Sequence, residues 1–282
     1  MGYSDLANLS VAGRDGVVYA YRDTGGTGTP LLLLQHFRGN LDNWDPPLID
    51  ALSDERRVVT FDNVGIGATT GITPRTIAEM ALGALTFIDA LGLDRVDLLG
   101  FSIGSFVAQE IALNRPSVVK RVVLASAAPQ GAPGMHGWAE EVITAIGQPE
   151  PSPDGYLNVF FTQSEASRAA GAATLSRIFG PKPNPYVPTT WETRQAQYDA
   201  VCSWGVPNHS LLQRLTAIQT PVLIAGGDSD PMILPRYSYL LAGLIPNALT
   251  KVRSTSGGPM GRGPSEKPIW SVGRSCSGSL AP

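Results

Sequence analysis

The sequence has little of what marks several specialised classes of protein. Its 282 residues include only 2 cysteines and 3 histidines, so neither a disulfide framework nor a cluster of metal-binding side chains is expected. Lys and Arg form no run, and the formal net charge is −3. A basic surface for nucleic acid or for an anionic membrane is therefore not expected either.

Long apolar runs are also missing. The runs that occur, such as residues 31–34 and 122–125, are far shorter than the ~18 residues that a membrane-spanning helix requires. The first positive charge is Arg14, and Asp5 precedes it, so the basic start of a secretory signal is absent. These observations predict a cytoplasmic protein without a membrane partner.

Charge is scarce and apolar residues are plentiful. Charged residues make up 16% of the chain and hydrophobic residues 43%, whereas about 25% of the residues in an average protein are charged. A chain of this length and composition can bury a large core, and it does not resemble a disordered polypeptide.

Strand-like and helix-like segments alternate along the chain. Apolar runs predict strands at residues 17–22, 31–34, 57–61, 96–99, 122–126, 222–225 and 250–253. Apolar residues at helical spacing predict helices at 44–52, 77–91 and 103–113. Such alternation indicates an α/β fold, in which helices cover both faces of a parallel sheet.

Residues 128–220 interrupt this alternation because they contain no clear strand. Helices are predicted there at 138–146, 165–179, 190–202 and 210–218. A helical insertion between two strands suits a cap over the carboxyl edge of the sheet. The predicted organisation is therefore a core of residues 1–129 and 218–253, a helical cap at 130–217, and an irregular tail at 254–282 that is rich in Gly, Ser and Pro.

One short motif points to chemistry. Residues 100–104 read Gly-Phe-Ser-Ile-Gly and match the pattern Gly-x-Ser-x-Gly. The pattern stands between a predicted strand and a predicted helix, where it forms a tight turn that exposes the serine hydroxyl. Ile103 is the first residue of that helix, so its N–H can stabilise an oxyanion. Ser102 is thus predicted to be a nucleophile; the alternative is a structural turn with an inert serine.

With this motif and this order of elements, the sequence resembles the α/β-hydrolase superfamily, in particular its esterase, haloperoxidase and lactonase-like members with a helical cap. The resemblance covers roughly residues 15–253. It implies a mostly parallel sheet of eight strands, a cap after the sixth strand, and a catalytic triad in the order Ser, acid, His.

The resemblance also implies a second oxyanion donor in the loop after residues 31–34. An ungapped reading of that loop assigns this role to the backbone N–H of Phe37. Arg38, the next residue, is predicted to be solvated or to pin the loop rather than to clamp a substrate.

The acid of the triad is expected in the loop after the seventh strand. The family places its acid there before a proline, and Asp230 precedes Pro231. Asp228 is the alternative, although an Asp in a glycine-rich turn has an ordinary role in turn formation.

The base is missing from its expected place. The family's histidine follows the last strand, commonly in a Ser-Gly-His context, and this sequence has Gly258 at that position. Of the three histidines, His36 is nearest to Ser102 by topology and is kept as a candidate base, with a structural role as the alternative. His136 lies at the start of the cap, and His209 precedes a helix that leaves the cap.

Two functions remain open at this point. The first is a serine hydrolase that acts on an ester or lactone of a small apolar substrate, weakened by the missing histidine and using no metal or organic cofactor. The second is a catalytically weak protein of the same fold that binds a small apolar ligand under its cap. Cofactor-free oxygenation on this fold is a third option, but it also needs a histidine base. Labelling of Ser102 by a phosphonate distinguishes the first function from the second.

Overall fold

Residues 2–181 and 187–253 are described by the computed structural model. Their strands are β1 (Leu9–Ala12), β2 (Val18–Asp23), β3 (Leu31–Leu34), β4 (Val58–Phe61), β5 (Val96–Phe101), β6 (Val119–Ala125), β7 (Val222–Gly227) and β8 (Ala248–Arg253). All eight belong to one sheet, in the order β1-β2-β4-β3-β5-β6-β7-β8.

Most of this sheet is parallel. Strand β2 pairs antiparallel with β1 and β4, whereas the pairs from β4 through β3, β5, β6 and β7 to β8 are all parallel. The carboxyl ends of β3 to β8 therefore meet at one edge. The predicted α/β fold with a mostly parallel sheet of eight strands is confirmed.

Helices connect the strands. They are α1 (Pro46–Ser53), α2 (Ile77–Ala90), α3 (Ile103–Asn114), α4 (Glu140–Ile146), α5 (Pro153–Phe160), α6 (Glu165–Phe179), α7 (Trp191–Trp204), α8 (His209–Gln213) and α9 (Arg236–Leu244). Several begin at a side chain that caps the first turn, as at Thr76 before α2 and Thr190 before α7. No helix among the described residues is long and apolar enough to cross a membrane.

The sheet has an apolar layer on each face, as the continuous run in β3 predicts. Leu32 and Leu34 belong to one buried cluster together with side chains of α2 and α3. Leu31 and Leu33 belong to a second cluster on the other face, together with Ile49 of α1. Because both faces are covered, a central parallel strand carries apolar residues at every position rather than at alternate ones.

One strand and two α-helices were not predicted. Strand β1 is a largely exposed edge strand, so it lacks the apolar signal of the central strands. Helix α5 begins with Pro153 at its first position after Ser152, whose hydroxyl accepts the N–H of Gly155. These residues start a helix, although the surrounding prolines favour a linker. Helix α9 follows Pro235, which provides no side-chain cap.

The segment between β6 and β7 contains helices α4 to α8. Its side chains bind loops that follow the parallel strands: Thr193 donates to the carbonyl of Gly65 at 3.1 Å, and Arg177 pairs with Asp45 at 2.7 Å. The segment thus contacts the carboxyl edge of the sheet. That this segment forms a separate cap stays a prediction. The predicted tail, residues 254–282, lies outside the described part of the chain.

Helix α3 lies unusually close to β3 at Gly104, the second residue of the helix. A Cβ at this position would overlap the carbonyl oxygens of Leu34 and Gln35. Both of these are backbone atoms, so no flexible side chain can move aside.

We therefore expect Gly104→Ala to lower the free energy of unfolding by about 3 kcal/mol, at the upper end of the cost of overpacking a core. Gly243→Ala is the control, because a Cβ there meets nothing within 4 Å. It lies within α9, so the change should stabilise the protein by about 0.5–1 kcal/mol. Urea unfolding followed by circular dichroism measures both; equal stabilities of Gly104→Ala and the parent protein would contradict the close contact.

Candidate active site

Ser102 lies on a strained turn between β5 and α3. Its φ is 55° and its ψ is −122°, a backbone conformation that a residue with a Cβ rarely adopts. Its N–H donates to the carbonyl of Ala125 at 2.9 Å. Its carbonyl accepts the N–H of Ser105 at 2.8 Å and the hydroxyl of the same residue at 2.5 Å. These bonds hold the turn rigidly.

The hydroxyl of Ser102 is left available by this arrangement. The residue is half-buried, and its Oγ makes no hydrogen bond to any residue that the structure describes. The flanking glycine of the motif explains how the chain turns so sharply, because a Cβ at Gly100 would overlap the backbone of Gly104.

The two predicted oxyanion donors lie in different elements. Ile103 is the first residue of α3, so its N–H has no acceptor within the helix. Phe37 is buried in the loop after β3, and its ring packs edge-on against Trp138 with centroids 4.8 Å apart. The carbonyl of Phe37 accepts a hydrogen bond from His36 Nδ1 at 2.8 Å, and this bond helps to fix the peptide.

Asp230 lies in the loop after β7 and is 8% exposed. Its Oδ1 accepts the N–H groups of Met232 at 3.0 Å and Ile233 at 2.9 Å. Its Oδ2 accepts the hydroxyl of Ser126 at 2.9 Å. Burial raises the pKa of Asp230, and the three hydrogen bonds only partly offset this effect.

Sequence reasoning did not identify Ser126 as part of the site. It follows β6 directly, as Ser102 follows β5, and it also has a positive φ, 47°. The register pairs Phe101 with Ala125 and Ala125 with Ala225. Ser126 therefore lies at the end of β6, the strand between β5, which precedes Ser102, and β7, which precedes Asp230. The sequence signal that could have indicated Ser126 is a serine directly after a predicted parallel strand.

Asp228, the alternative acid, is exposed and accepts a hydrogen bond from the hydroxyl of Ser229 at 2.8 Å. This is a local bond in a turn. Of the two carboxylates in this loop, only Asp230 is buried against the carboxyl edge of the sheet.

None of the three histidines, all of which lie in the described part of the chain, forms a hydrogen bond with Ser102. His36 donates from Nδ1 to the carbonyl of Phe37 and packs edge-on against Phe101, with ring centroids 5.3 Å apart. Burial lowers the pKa of His36 to about 4, so the ring is neutral at pH 7. His136 and His209 are exposed. Gly258, the position expected to hold the base, lies outside the described residues.

A small cavity reaches from the loop after β3 to the first turn of α3. Its lining includes Gln35, His36, Ile103, Gly104 and Gln197, and it has room for about one water molecule. Within residues 2–181 and 187–253, no group of three or more His, Cys, Asp or Glu side chains could hold a metal ion.

Known proteins resemble this chain along most of its length. A family model described as the alpha/beta hydrolase fold matches residues 29–258. An alpha/beta hydrolase fold protein from Chitinophaga pinensis has a similar structure, with a TM-score of 0.84 and 35% identity; the similarity covers 91% of this chain and 92% of that one.

Two curated relatives are similar at lower identity. The RutD protein of Azorhizobium caulinodans, provisionally named a carbamate hydrolase, is 27% identical over 251 residues, which is 81% of this chain and 83% of the relative. A poly(3-hydroxyalkanoate) depolymerase of Ectopseudomonas oleovorans is 30% identical over 231 residues, which is 78% of this chain and 75% of the relative.

A buried carboxylate, that of Asp62, supports two loops at the carboxyl edge of the sheet. Asp62 follows β4 and accepts the N–H of Leu41 at 2.7 Å and that of Ala68 at 3.0 Å. It thereby joins the loop after β3 to the loop after β4. Burial is the largest influence on this carboxyl group and raises its pKa to about 7.

This pKa predicts a pH-dependent stability. In the unfolded chain an Asp titrates near ~3.9, so the folded state binds the extra proton between that pH and about 7. The contribution of Asp62 is therefore fully present below pH ~4 and is lost as the pH rises through 7, by up to about 4 kcal/mol. Asp62→Asn should remove this decline, at a pH-independent cost of about 1 kcal/mol for one lost hydrogen bond.

Urea unfolding at pH 5 and pH 8 gives, for each protein, the change in the free energy of unfolding between the two pH values. The change in the parent protein minus the change in Asp62→Asn is the contribution of Asp62, because His36 and Asp230, whose pKa values burial also shifts, contribute equally to both proteins. Asp228→Asn is the control, because Asp228 is exposed and its replacement should leave the change between the two pH values unaltered. The same change in Asp62→Asn and in the parent protein would show that Asp62 is not the titrating group.

Proposed function

The chain belongs to the α/β hydrolase fold family, and on that basis we propose that it is a serine hydrolase acting on an ester or lactone of a small apolar substrate. The observation that carries the proposal is the strained backbone of Ser102, whose φ of 55° holds a half-buried hydroxyl at the carboxyl edge of the sheet, with no hydrogen bond to any described residue. Strain of this kind concentrates at functional sites.

In the proposed reaction, Ser102 Oγ attacks the carbonyl carbon of the substrate. The carbonyl oxygen becomes an oxyanion and accepts hydrogen bonds from the N–H groups of Phe37 and Ile103. The bond to the alkoxide then breaks, the alkoxide takes up the proton that Ser102 Oγ has lost, and the resulting alcohol departs from an acyl-serine. Water then attacks this acyl group, releases the acid and returns the proton to Ser102.

The proposed reaction lacks a well-placed group to accept the proton of Ser102 Oγ. Serine is a poor nucleophile without a base beside it. Asp230 is assigned to orient a histidine and to stabilise its charged form, but no described histidine is hydrogen-bonded to it. His36 is the candidate base that topology offers, yet its pKa of about 4 lies far from the pH at which a base works best. The proposed activity is therefore low.

The proposed substrate class rests on the surroundings of Phe37. Its ring contacts Trp138, and Trp138 in turn packs edge-on against Tyr198 with centroids 5.0 Å apart. We assign these aromatic side chains, two of which lie in the segment between β6 and β7, to an apolar wall of the substrate pocket under the cap. The similarity to a relative named poly(3-hydroxyalkanoate) depolymerase also supports this class. A cytoplasmic location stays an expectation from the sequence.

A fluorophosphonate tests the assignment of the nucleophile. The hydroxyl of Ser102 displaces fluoride, helped by the oxyanion donors, and forms a stable phosphonyl ester. We therefore expect one label per chain, formed slowly because a base is missing and located at Ser102 by peptide mass spectrometry. Ser102→Ala should carry no label. Ser229→Ala, which replaces an exposed serine in the loop after β7, should be labelled at the rate of the parent protein.

The outcome also separates the two functions left open by the sequence. Label on Ser102 that is blocked by a competing ester supports the hydrolase. Binding of small apolar ligands without any label would instead support the ligand-binding alternative, and esterase turnover unchanged in Ser102→Ala would reject the nucleophile.

The missing base gives a prediction of gained activity. We expect Gly258→His to raise kcat/KM for p-nitrophenyl acetate by about tenfold, less than the 10²–10⁴ that a well-placed general base contributes, because the tail sequence shows no helical periodicity that would support the loop. Gly257→His, shifted by one position, is the matched control and should give no gain.

Two results would contradict this interpretation. Full turnover by the parent chain that is lost in His36→Gln would identify His36 as the base. Full turnover that survives replacement of all three histidines would reject the triad altogether.

A further inference from the structure

Arg38 follows Phe37 in the loop after β3, and its backbone φ is 64°. This is the left-handed region, in which glycine and asparagine are favoured and a long side chain is strained. Such a conformation persists only where neighbouring groups hold it. The contacts of Arg38 therefore identify what fixes the loop that carries Phe37.

The hydrogen bonds of Arg38 all join it to the segment between β6 and β7. Its N–H donates to Gln197 Oε1 at 2.6 Å. Its carbonyl accepts the hydroxyl of Thr189 at 2.6 Å. Its guanidinium donates to the carbonyl oxygens of Gln148 at 2.7 Å and Pro149 at 2.8 Å. The backbone bonds hold the strained conformation directly.

The partners of Arg38 differ in their burial. Gln197 lies on α7 and is 2% exposed, so its amide has little freedom to turn away. Gln148 and Pro149 follow the end of α4, where exposed carbonyls favour a cation. A second guanidinium, that of Arg194, donates to the neighbouring carbonyl of Gly147 at 3.1 Å.

We propose that Arg38, Gln197 and Thr189 form a clasp that holds the N–H of Phe37 in its oxyanion-binding position. Arg38 and Gln197 are positioning residues, because they act through Phe37 rather than on the substrate. The inference rests on the proposed function in one respect, the use of the Phe37 N–H by an oxyanion. Its consequence is that movement of α7 away from the sheet would also release the oxyanion loop.

The clasp differs from two contacts between α7 and the loop after β4. Arg75, in the loop after β4, pairs with Asp199 of α7, and Thr193 of the same helix bonds to Gly65. These contacts attach α7 without touching the loop after β3. A variant that breaks one of them therefore separates general loosening of α7 from loss of the clasp.

The first measurement is the rate of inactivation by a fluorophosphonate. Gln197→Met keeps the size of the side chain and removes the acceptor of the Arg38 N–H, so we expect kinact to fall by about 10- to 100-fold with KI almost unchanged, since loss of one oxyanion donor costs ~10²–10³. Arg75→Gln is the matched control and should leave both constants unchanged. Thr189→Val, at a partly exposed position, is the second variant and serves if Gln197→Met fails to fold.

Hydrogen–deuterium exchange of the peptide covering residues 35–41 is the second measurement, and it does not depend on catalysis. We expect exchange about tenfold faster in Gln197→Met or Thr189→Val, by analogy with local opening of a released loop, and no change in Arg75→Gln.

The two measurements separate the two proposals. If the parent protein is never labelled at Ser102, the proposed function fails, and the exchange data alone decide whether the clasp holds the loop. Unchanged exchange in the clasp variants overturns the inference, as does an equal fall of kinact in Arg75→Gln. A rise of KI without a fall of kinact would show that these residues affect binding only, and would overturn it too.

Discussion

A helix can start directly after β5 and still lie against β3 only because Gly100 and Gly104 have no side chains. At Gly104 the backbone of α3 approaches the carbonyl groups at the end of β3, and this contact decides where α3 begins. The strained φ of Ser102, the free N–H of Ile103 and the position of the loop after β3 all depend on it. The hydrogen bond from Ser102 to Ala125 then fixes the turn against β6.

The same dependence explains which parts of the structure could be predicted. The four leucines of β3 and the spacing of α2 are direct consequences of burial, so both elements were predicted close to their observed bounds. The strained turn at Ser102 could be predicted because it demands glycines, and a glycine requirement is visible in a sequence. Strand β1, by contrast, is exposed and lacks a core pattern, while α5 begins among prolines that also suit a linker.

Other parts of the site depend on contacts between distant residues. Nothing in the residue type of Arg38 or Ser126 indicates a positive φ, because the strain is held by groups far along the chain: Gln197 for Arg38, and the strand pairing with β7 for Ser126. The sequence indicated Arg38 as a residue that is solvated or pins its loop, but it could not indicate a partner. The role of His36 in holding the carbonyl of Phe37 likewise depends on the fold of the loop.

The electrostatics of Asp230 suit the role proposed for it, that of an acid beside a histidine base. Two backbone N–H groups and the hydroxyl of Ser126 hold its carboxylate in place, yet burial still raises its pKa because no cation is paired with it among the described residues. An imidazolium beside it would lower this pKa, and by reciprocity the carboxylate would raise the pKa of the imidazole by a similar amount. Burial of this carboxylate without a cation costs free energy, and a protonated partner beside it would offset that cost. The environment of Asp230 is therefore suited to stabilising a histidine in its charged form, the form that proton transfer from Ser102 would create.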